Sequence, residues 1–354
     1  MNNVEELKQY SGVHAKGLDI TDGDRLLERI THDGSGPGSW VGEWAAEGDR
    51  LQAQGRHLDA SRRYLMARFP YVDGAARQDA YEKSLGSFEQ WRTGKGIHRL
   101  DVDLDGKQIG CWTTALSTTD RRPLLVIMGG HLTLKEQWAP ALPVFARMGV
   151  AVVCTELPGV GENEAPYDAD GWRFLSAVLD ALADRADVTR TIALAMSFSG
   201  HLALRCAMED ERIRGIITVG APVHDFFTDP DWQRELPRVT VDTLAHLTGS
   251  DTVEAGRALP VAGLAALDIP VAYVASRRDE VIPQSDPATL VRHVRDLRLL
   301  EHDDVHGSPA HVEENKLWMA VQLLDMLGVR NLRSRVIGLM YRLARARGGS
   351  RKAG

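Results

Sequence analysis

The chain has 354 residues, a net charge of −7 and a pI near 6.0; it is long enough for one large core with an appendage, and its acidic balance argues against a nucleic-acid partner. Its three cysteines lie in apolar contexts without metal-ligand spacing, which predicts free thiols and no metal site. The acidic start lacks an apolar core and no run of about 18 apolar residues follows, so we expect a cytoplasmic protein with no signal peptide, no membrane-spanning helix and no membrane partner.

Residues 1–95 are predicted to form an N-terminal helical cap segment. Residues 1 to about 40 are polar and end in a stretch rich in glycine and serine, 33–39, which predicts a loop. From residue 40 to about residue 91, apolar residues recur at helical spacing, and the pattern predicts an antiparallel helix pair and a third helix over 79–91. One such pair is too little for a repeat solenoid, so we expect it to pack on a larger unit.

Residues 96–330 are predicted to form an α/β domain that begins with a hairpin. The apolar runs 97–104 and 109–114 are joined by Asp105-Gly106, a sequence typical of a tight hairpin turn. Six later apolar runs alternate with helical stretches, which predicts a mostly parallel sheet flanked by helices. These runs cover 123–128, 150–154, 192–195, 215–219, 270–275 and 297–300.

Glycine-rich loops follow the first two of these runs. Gly129 and Gly130 come directly after 123–128, where glycines let the backbone approach a ligand closely. Gly130 is therefore a candidate pocket residue. The second loop, over 157–162, lacks the lysine and hydroxyl ending of a phosphate loop and the Rossmann glycine spacing, so we expect a turn at the pocket edge.

The third run stops at Ser197, and a stretch with helical character follows. The order strand, serine, helix is typical of a nucleophile elbow, whose sharp turn exposes the serine hydroxyl. The usual flanking glycines are replaced by Ala195 and Ser199, which are also small, and Gly200 comes next. A structural serine in a small-residue turn gives the same local pattern, so the rest of the chain must decide.

An insertion is predicted over 224–266, after the strand at 215–219. Its start places His224 and Asp225 beside aromatic residues just past a strand end, where α/β folds bind ligands. His224 and Asp225 are therefore candidate pocket residues, with solvated loop residues as the alternative.

Two further strand ends supply a carboxylate and a histidine. Asp279 follows the run at 270–275, and His306, next to a glycine, follows the run at 297–300. Serine needs a histidine to accept its proton, and that histidine needs a carboxylate to fix its tautomer. The chain order Ser197, Asp279, His306 is that of α/β-hydrolases. These three residues are the predicted catalytic triad.

Each cluster contains alternatives. Glu280 and Asp286 are interpreted as solvated or capping residues, whereas His302 and His311 stay open as substitutes for the histidine. Given the triad, an oxyanion hole is predicted from two backbone N–H groups. They belong to Phe198, which follows the nucleophile, and His131, in the loop after 123–128.

Residues 331–354 form a basic C-terminal segment. Apolar residues recur between its basic residues at helical spacing, which predicts a helix with one packed face, a solvated basic face and a frayed tail. Docking of an anionic partner is the alternative. The basic residues are Arg333, Arg335, Arg342, Arg345, Arg347, Arg351 and Lys352, and the apolar ones are Leu332, Val336, Leu339, Met340 and Leu343.

With these motifs the chain resembles the FrsA-like α/β-hydrolases over roughly residues 40–328. The resemblance rests on Gly129-Gly130-x-x-x-x-Lys135-Glu136, the loop 157–162 and the serine, aspartate and histidine blocks. That family includes 2,6-dihydroxypseudooxynicotine hydrolase and polyketide chain-shortening hydrolases of fungal pigment and bacterial anthraquinone pathways. The resemblance implies a homodimeric serine hydrolase that cleaves a C–C bond beside a carbonyl, by a retro-Claisen reaction, or an ester.

The motifs therefore predict a cofactor-free serine hydrolase, and the resemblance implies a role in secondary metabolism or aromatic catabolism. Its expected substrate is a bulky, largely apolar carbonyl compound, such as a polyketide or an aryl ketone, held under a lid made by the cap and the insertion. Two alternatives remain. One is a carboxylesterase or thioesterase for a bulky ester, and the other is a non-catalytic regulatory binding protein with the same fold.

Overall fold

An eight-stranded sheet forms the centre of the protein. The computed structural model describes residues 2–250, 253 and 255–350. The strands follow the order β1-β2-β4-β3-β5-β6-β7-β8 across the sheet. β2 pairs antiparallel with β1 and β4, and the other neighbours are parallel. The strands are β1 (His98–Leu104), β2 (Lys107–Thr114), β3 (Pro123–Met128), β4 (Ala151–Thr155), β5 (Asp187–Ala195), β6 (Ile213–Val219), β7 (Val271–Ser276) and β8 (Leu297–His302).

Helices cover both faces of the sheet and its carboxyl edge. Their bounds are α1 (Val4–Gly17), α2 (Gly23–Leu27), α3 (Trp40–Ala53), α4 (His57–Arg68), α5 (Ala75–Arg92), α6 (Lys135–Trp138), α7 (Leu142–Ala146), α8 (Arg173–Leu182), α9 (Phe198–Ala207), α10 (Asp225–Thr228), α11 (Pro230–Arg234), α12 (Arg238–Thr248), α13 (Val261–Ala266), α14 (Ser285–His293), α15 (Val312–Met326) and α16 (Leu332–Ser350). No helix in the described part of the chain is long and apolar enough to cross a membrane.

The strand predictions are confirmed because buried parallel strands consist of near-continuous apolar residues. Every residue of β4 and β7 is buried. The predicted hairpin is confirmed as well: Leu104 pairs with Lys107, and the two turn residues, Asp105 and Gly106, have φ of 52° and 80°. Together these elements confirm the predicted α/β fold with a mostly parallel sheet.

The loop predicted at 33–39 is confirmed, but the polar stretch before it contains two helices, α1 and α2, that the sequence did not predict. Asn3 caps α1 by accepting hydrogen bonds from the N–H groups of Glu5 and Glu6. Leu7, Ser11 and Ala15 recur every four residues and are buried, so a narrow face of an otherwise polar helix packs inward. Such a face, with only one large apolar residue among the three, gives little signal in the sequence.

The cap segment packs on the insertion across the carboxyl edge of the sheet. The Val239 N–H, at the start of α12, donates to Glu6 Oε1 on α1 at 3.1 Å. The rings of Tyr71 and His246 stack with their centroids 4.4 Å apart. Cap and insertion therefore meet above the strand ends, whereas the predicted domain boundaries stay predictions.

The C-terminal segment departs from expectation in one respect. α16 spans most of it, but the five apolar residues named in the prediction are exposed by 47% to 76% rather than packed. Arg351 and Lys352 lie outside the described residues.

Candidate active site

Ser197 occupies a sharp turn between β5 and α9. Its backbone has φ 51° and ψ −123°, and a positive φ is uncommon for a residue other than glycine. The Ser197 N–H donates to Val219 O at 2.9 Å, which ties the turn to β6. This strained strand–serine–helix turn has the backbone geometry of a nucleophile elbow.

Two small residues let β5 and α9 approach each other at the elbow. A Cβ at Gly200 would overlap Thr218 Oγ1 and lie 2.9 Å from Ala195 O, so only glycine fits there. Ser199 is fully buried, and its hydroxyl donates to Gly129 O at 2.5 Å. Ser199 therefore joins the elbow to the glycine loop after β3, which explains a serine where the usual motif has glycine.

The structure brings the three predicted triad residues together. Ser197 Oγ lies 3.1 Å from His306 Nε2. On the other side of the ring, His306 Nδ1 lies 3.0 Å from both carboxylate oxygens of Asp279. Asp279 Oδ1 also accepts the N–H groups of Val281 at 2.9 Å and Ile282 at 2.8 Å. Two backbone amides thus fix the carboxylate, which in turn orients the imidazole.

Two residues that the sequence analysis did not assign to the site hold His306 in place. Gly220, with φ of 58°, lies against the imidazole, and a Cβ there would be 2.8 Å from His306 Cε1. Glu280 Oε2 accepts the His306 N–H at 3.0 Å. Glu280 is therefore a positioning residue for the histidine rather than a solvated one.

The charges around His306 favour its protonated form. Burial alone lowers the pKa of His306, but the negative charges of Asp279 and Glu280 outweigh burial and hold that pKa above its ordinary value of 6.5. An imidazole with this pKa accepts a proton readily from a serine hydroxyl that attacks a carbonyl.

This charge balance predicts a pH profile. Only neutral His306 can act as a base, so kcat/KM should fall with decreasing pH through an inflection above pH 6.5. Glu280→Gln removes one negative charge and should move the inflection to lower pH. Initial rates of ester hydrolysis between about pH 5 and pH 9 measure both, and a profile that is flat, or inflected below pH 6.5, would contradict the assignment.

Two backbone N–H groups beside the elbow are the predicted oxyanion hole. Those of His131 and Phe198 donate to no residue that the structure describes. The loop passes close to the serine, since a Cβ at Gly130 would lie 3.3 Å from Ser197 Cβ. The His131 and Phe198 rings pack edge to face, with centroids 4.5 Å apart, so the glycine loop and the start of α9 are in contact. Both amides can bind the oxygen of a tetrahedral intermediate.

A buried ion cluster supports the glycine loop and explains its Lys-Glu ending. Lys135 Nζ lies 3.1 Å from Glu136, 3.2 Å from Glu156 and 2.6 Å from Glu162. The Lys135 N–H donates to Glu156 Oε1 at 3.1 Å. These contacts fasten the start of α6, and with it the loop that carries the His131 amide, to the strand β4.

The insertion residues His224 and Asp225 take part in a buried capping arrangement. Buried Asp286 accepts hydrogen bonds from the N–H groups of Val223, His224, Asp225 and Phe226, between 2.7 and 3.4 Å. The His224 and Asp225 side chains pair with each other at 2.9 Å and are about one-third exposed, at 35% and 36%. The structure does not bring these two candidate pocket residues to the triad, whereas Asp286 is a capping residue as interpreted.

The alternative histidines lie together, away from the serine. The rings of His302 and His311 stack with centroids 4.0 Å apart, and His302 Nε2 is 2.8 Å from Asn315 Oδ1. With Glu314 they form a group whose possible metal-ligand atoms lie within 4.8 Å of one another. His302 already uses one ring nitrogen, and the two rings face each other instead of converging on one point. The absence of a metal and of a cofactor therefore stays a prediction.

Helix α1 covers the triad, and although a lid was predicted from the cap, a helix in this stretch was not. Burial, followed by the charge of neighbouring Glu280, raises the pKa of Tyr10 on α1. Val13, one turn further along α1, lies 3.9 Å from the position that a Cβ of Gly307 would take. The N-terminal helix therefore closes the site from above, beside the loop that carries His306.

A cavity of about 200 Å³ adjoins the glycine loop, between cap and insertion. It shares His131 with the elbow region. Polar residues make up much of its wall, and sequence analysis picked out only His131 among them. Its lining residues are Arg68, Tyr71, Val72, Gln78, Tyr81, His131, Gly159, Gly161, Thr243, His246 and Leu247.

Comparison with known families identifies relatives by sequence. The model of a family described as "Esterase FrsA-like" matches residues 28–279. "Esterase FrsA" of Vibrio cholerae serotype O1 is 25% identical over 276 residues, which are 68% of this chain and 65% of that protein. "Esterase FrsA" of Photobacterium profundum is 24% identical over 330 residues, 82% of this chain and 78% of that protein. The match to the Vibrio cholerae protein thus spans less than two thirds of its length.

Solved structures include one with high similarity over the whole chain. "AbyA5 Wildtype" superposes with a TM-score of 0.93 and 48% sequence identity, covering 97% of this chain and 99% of that one. The 2,6-dihydroxy-pseudo-oxynicotine hydrolase superposes with a TM-score of 0.71 over 89% of this chain and 95% of its own, at 20% identity. At 20% identity, the similarity to this hydrolase shows a shared fold and nothing more.

Proposed function

The chain belongs to the FrsA-like esterase family, and from that premise we propose that it is a serine hydrolase with Ser197, His306 and Asp279 as its catalytic triad. The observation that carries the proposal is the pair of contacts at His306, 3.1 Å to Ser197 Oγ and 3.0 Å to Asp279. A non-catalytic binding protein would need neither this hydrogen-bonded order nor the strained turn at Ser197.

The proposed reaction proceeds through an acyl-enzyme. Ser197 Oγ attacks the substrate carbonyl while His306 Nε2 takes its proton, and the N–H groups of His131 and Phe198 bind the resulting oxyanion. His306 then gives the proton to the leaving group as the carbonyl re-forms. Water, deprotonated by His306, attacks the acyl group and releases the acid and free Ser197. The four groups belong to this chain, so the cycle needs no cofactor.

We propose an ester as the bond that is cleaved. The relatives that match by sequence carry the name esterase, and an alkoxide leaving group needs only the proton that His306 carries. Cleavage of a C–C bond beside a carbonyl is the second candidate. Its leaving group is an enolate, which needs hydrogen-bond donors of its own, and the cavity beside His131 presents the buried side chains of Arg68 and Tyr81.

A substrate panel separates these two candidates. We expect aryl esters of bulky acids to be hydrolysed with a higher kcat/KM than 1,3-diketones of similar size, and Ser197→Ala to abolish both activities. Release of the phenol and of the acid, followed by absorbance and by chromatography, measures the two reactions. Faster cleavage of the diketones would favour the second candidate, and turnover that survives Ser197→Ala would contradict both.

The cap is proposed to complete the substrate site. Support comes from the contacts of α1 above the triad and from the cavity between cap and insertion. A closed site of this kind keeps water from the acyl-enzyme until the leaving group departs. The homodimer, the cytoplasmic location and the bulky apolar substrate stay predictions.

A further inference from the structure

Arg68, the last residue of α4, is a buried cation that pairs with no carboxylate among the residues that the structure describes. It is 5% exposed, and its Nη1 donates to two backbone carbonyls, Pro70 O at 3.0 Å and Leu132 O at 3.3 Å. Its Nε has no hydrogen-bond partner in the described part of the chain. Arg77, the neighbouring buried arginine, pairs with the carboxylates of both Asp33 and Asp73. The contrast shows that this cap neutralises one buried arginine and leaves the other uncompensated.

Two more buried polar atoms that have no partner within residues 2–250, 253 and 255–350 line the same cavity. They are Tyr81 Oη and His131 Nε2. Burial, with the nearby charges of His306 and His14, lowers the pKa of His131 to about 3, so its ring is neutral. Buried polar groups are nearly always hydrogen-bonded in native proteins. Three unpaired ones around a single cavity of about 200 Å³ indicate a site built for a polar ligand group.

The charges near Arg68 restrict what this ligand group can be. Glu136 and Glu156 act on Arg68 only through space, and both already pair with Lys135. His14 lies near both Arg68 and His306. Burial, together with the positive charges of these two residues, lowers the pKa of His14 to about 4. A buried guanidinium without a counter-charge is costly, and an anionic oxygen offsets that cost with charge-assisted hydrogen bonds.

The cavity lies within reach of the nucleophile. Leu132 O accepts from Arg68, and Gly130, two residues earlier, lies against Ser197. Two Cα steps of about 3.8 Å each separate the serine end of this loop from the arginine end. A substrate can therefore place its carbonyl at Ser197 and a second oxygen, a few bonds away, at Arg68.

We propose that the substrate carries an anionic oxygen, a carboxylate or an enolate, which binds in this cavity to Arg68 and Tyr81 while Ser197 attacks the carbonyl. This inference rests on the proposed function, because it assigns a recognition element to the same site. Arg68 acts as a binding residue and Tyr81 as a second donor, and the neutral imidazole of His131 connects the cavity to the oxyanion hole.

The test compares substrates that differ only in charge. Mono-4-nitrophenyl esters of adipic, pimelic and suberic acid carry a carboxylate, and their methyl esters are neutral. For at least one chain length, the wild-type protein should hydrolyse the charged ester with a kcat/KM about ten- to hundredfold above the neutral one, as charge-assisted hydrogen bonds provide. Arg68→Gln should remove that preference by lowering kcat/KM on the charged ester about ten- to hundredfold more than on the neutral ester, and Arg68→Lys should restore part of it.

Controls keep the outcome unambiguous. Arg62→Gln alters an arginine of the same helix that pairs with Asp19 and Asp59, and it should leave the charge preference intact. Thermal unfolding shows whether Arg68→Gln folds. If it does not, Tyr81→Phe serves as the test variant, and it should lower the preference for the charged ester. Equal loss on both esters, or no charge preference at any length, would overturn the inference, whereas absence of all ester hydrolysis in the wild type would count against the proposed function instead.

Discussion

Replacing Ser197 with alanine is expected to lower kcat/KM by about 10⁴- to 10⁶-fold and to leave the fold intact. The triad acts as a unit, so removal of the nucleophile leaves only the contribution of substrate binding and of the oxyanion hole. The hydroxyl that is lost contacts His306 alone among the described side chains, and alanine can adopt the same elbow. Initial rates and thermal unfolding of the same preparation measure the two effects.

Ser199→Ala is the matched control, two residues away. It removes the hydrogen bond to Gly129 O, which should cost about 1 kcal/mol of stability, and it should reduce kcat/KM far less than Ser197→Ala. A fully active Ser197→Ala together with an inactive Ser199→Ala would show that the nucleophile is the other serine.

Asp279→Asn is expected to lower kcat by about 10⁴-fold with little change in structure. The N–H groups of Val281 and Ile282 donate to Asp279 Oδ1, so the carbonyl oxygen of asparagine will stay on these amides. Its NH₂ group then points at His306 Nδ1. That nitrogen must become an acceptor, which places the proton on Nε2, where it cannot accept the proton of Ser197.

Glu280→Gln provides the comparison for this variant. Glutamine keeps an oxygen for the His306 N–H, so its kcat should stay within about tenfold of wild type. Single-turnover rates on an activated aryl ester measure both variants. An Asp279→Asn protein with near-normal kcat would mean that His306 takes its orientation from elsewhere.

The sequence allowed the sheet and the triad to be predicted because both leave local patterns. Buried parallel strands are apolar along their whole length, and Ser197, Asp279 and His306 each follow one of them within a few residues. The carboxyl ends of these strands meet at one edge of the sheet, so chain order alone implied that the three side chains come together.

The part of the site that the cap contributes could not be predicted from local sequence patterns. Helix α1 buries only a narrow face, and its role appears in contacts with residues more than two hundred positions away, such as Val239. Arg68 looks like any helical arginine in the sequence. Its importance comes from an absent carboxylate and from its contact with Leu132, which are both tertiary features. His224 and Asp225 show the reverse case. Their polar, aromatic-rich stretch at a strand end indicated a pocket in the sequence, whereas in the structure their backbone N–H groups donate to Asp286.

Covalent labelling shows directly whether Ser197 is the activated nucleophile. A fluorophosphonate reacts with a serine hydroxyl only where a base and an oxyanion hole activate it, and tandem mass spectrometry of the digested protein locates the adduct. We predict one adduct per chain, on Ser197, which is retained in Ser199→Ala and Arg68→Gln and absent in Ser197→Ala. An adduct on a different residue, or an unlabelled wild-type protein that still hydrolyses esters, would contradict the assignment of Ser197 as the nucleophile.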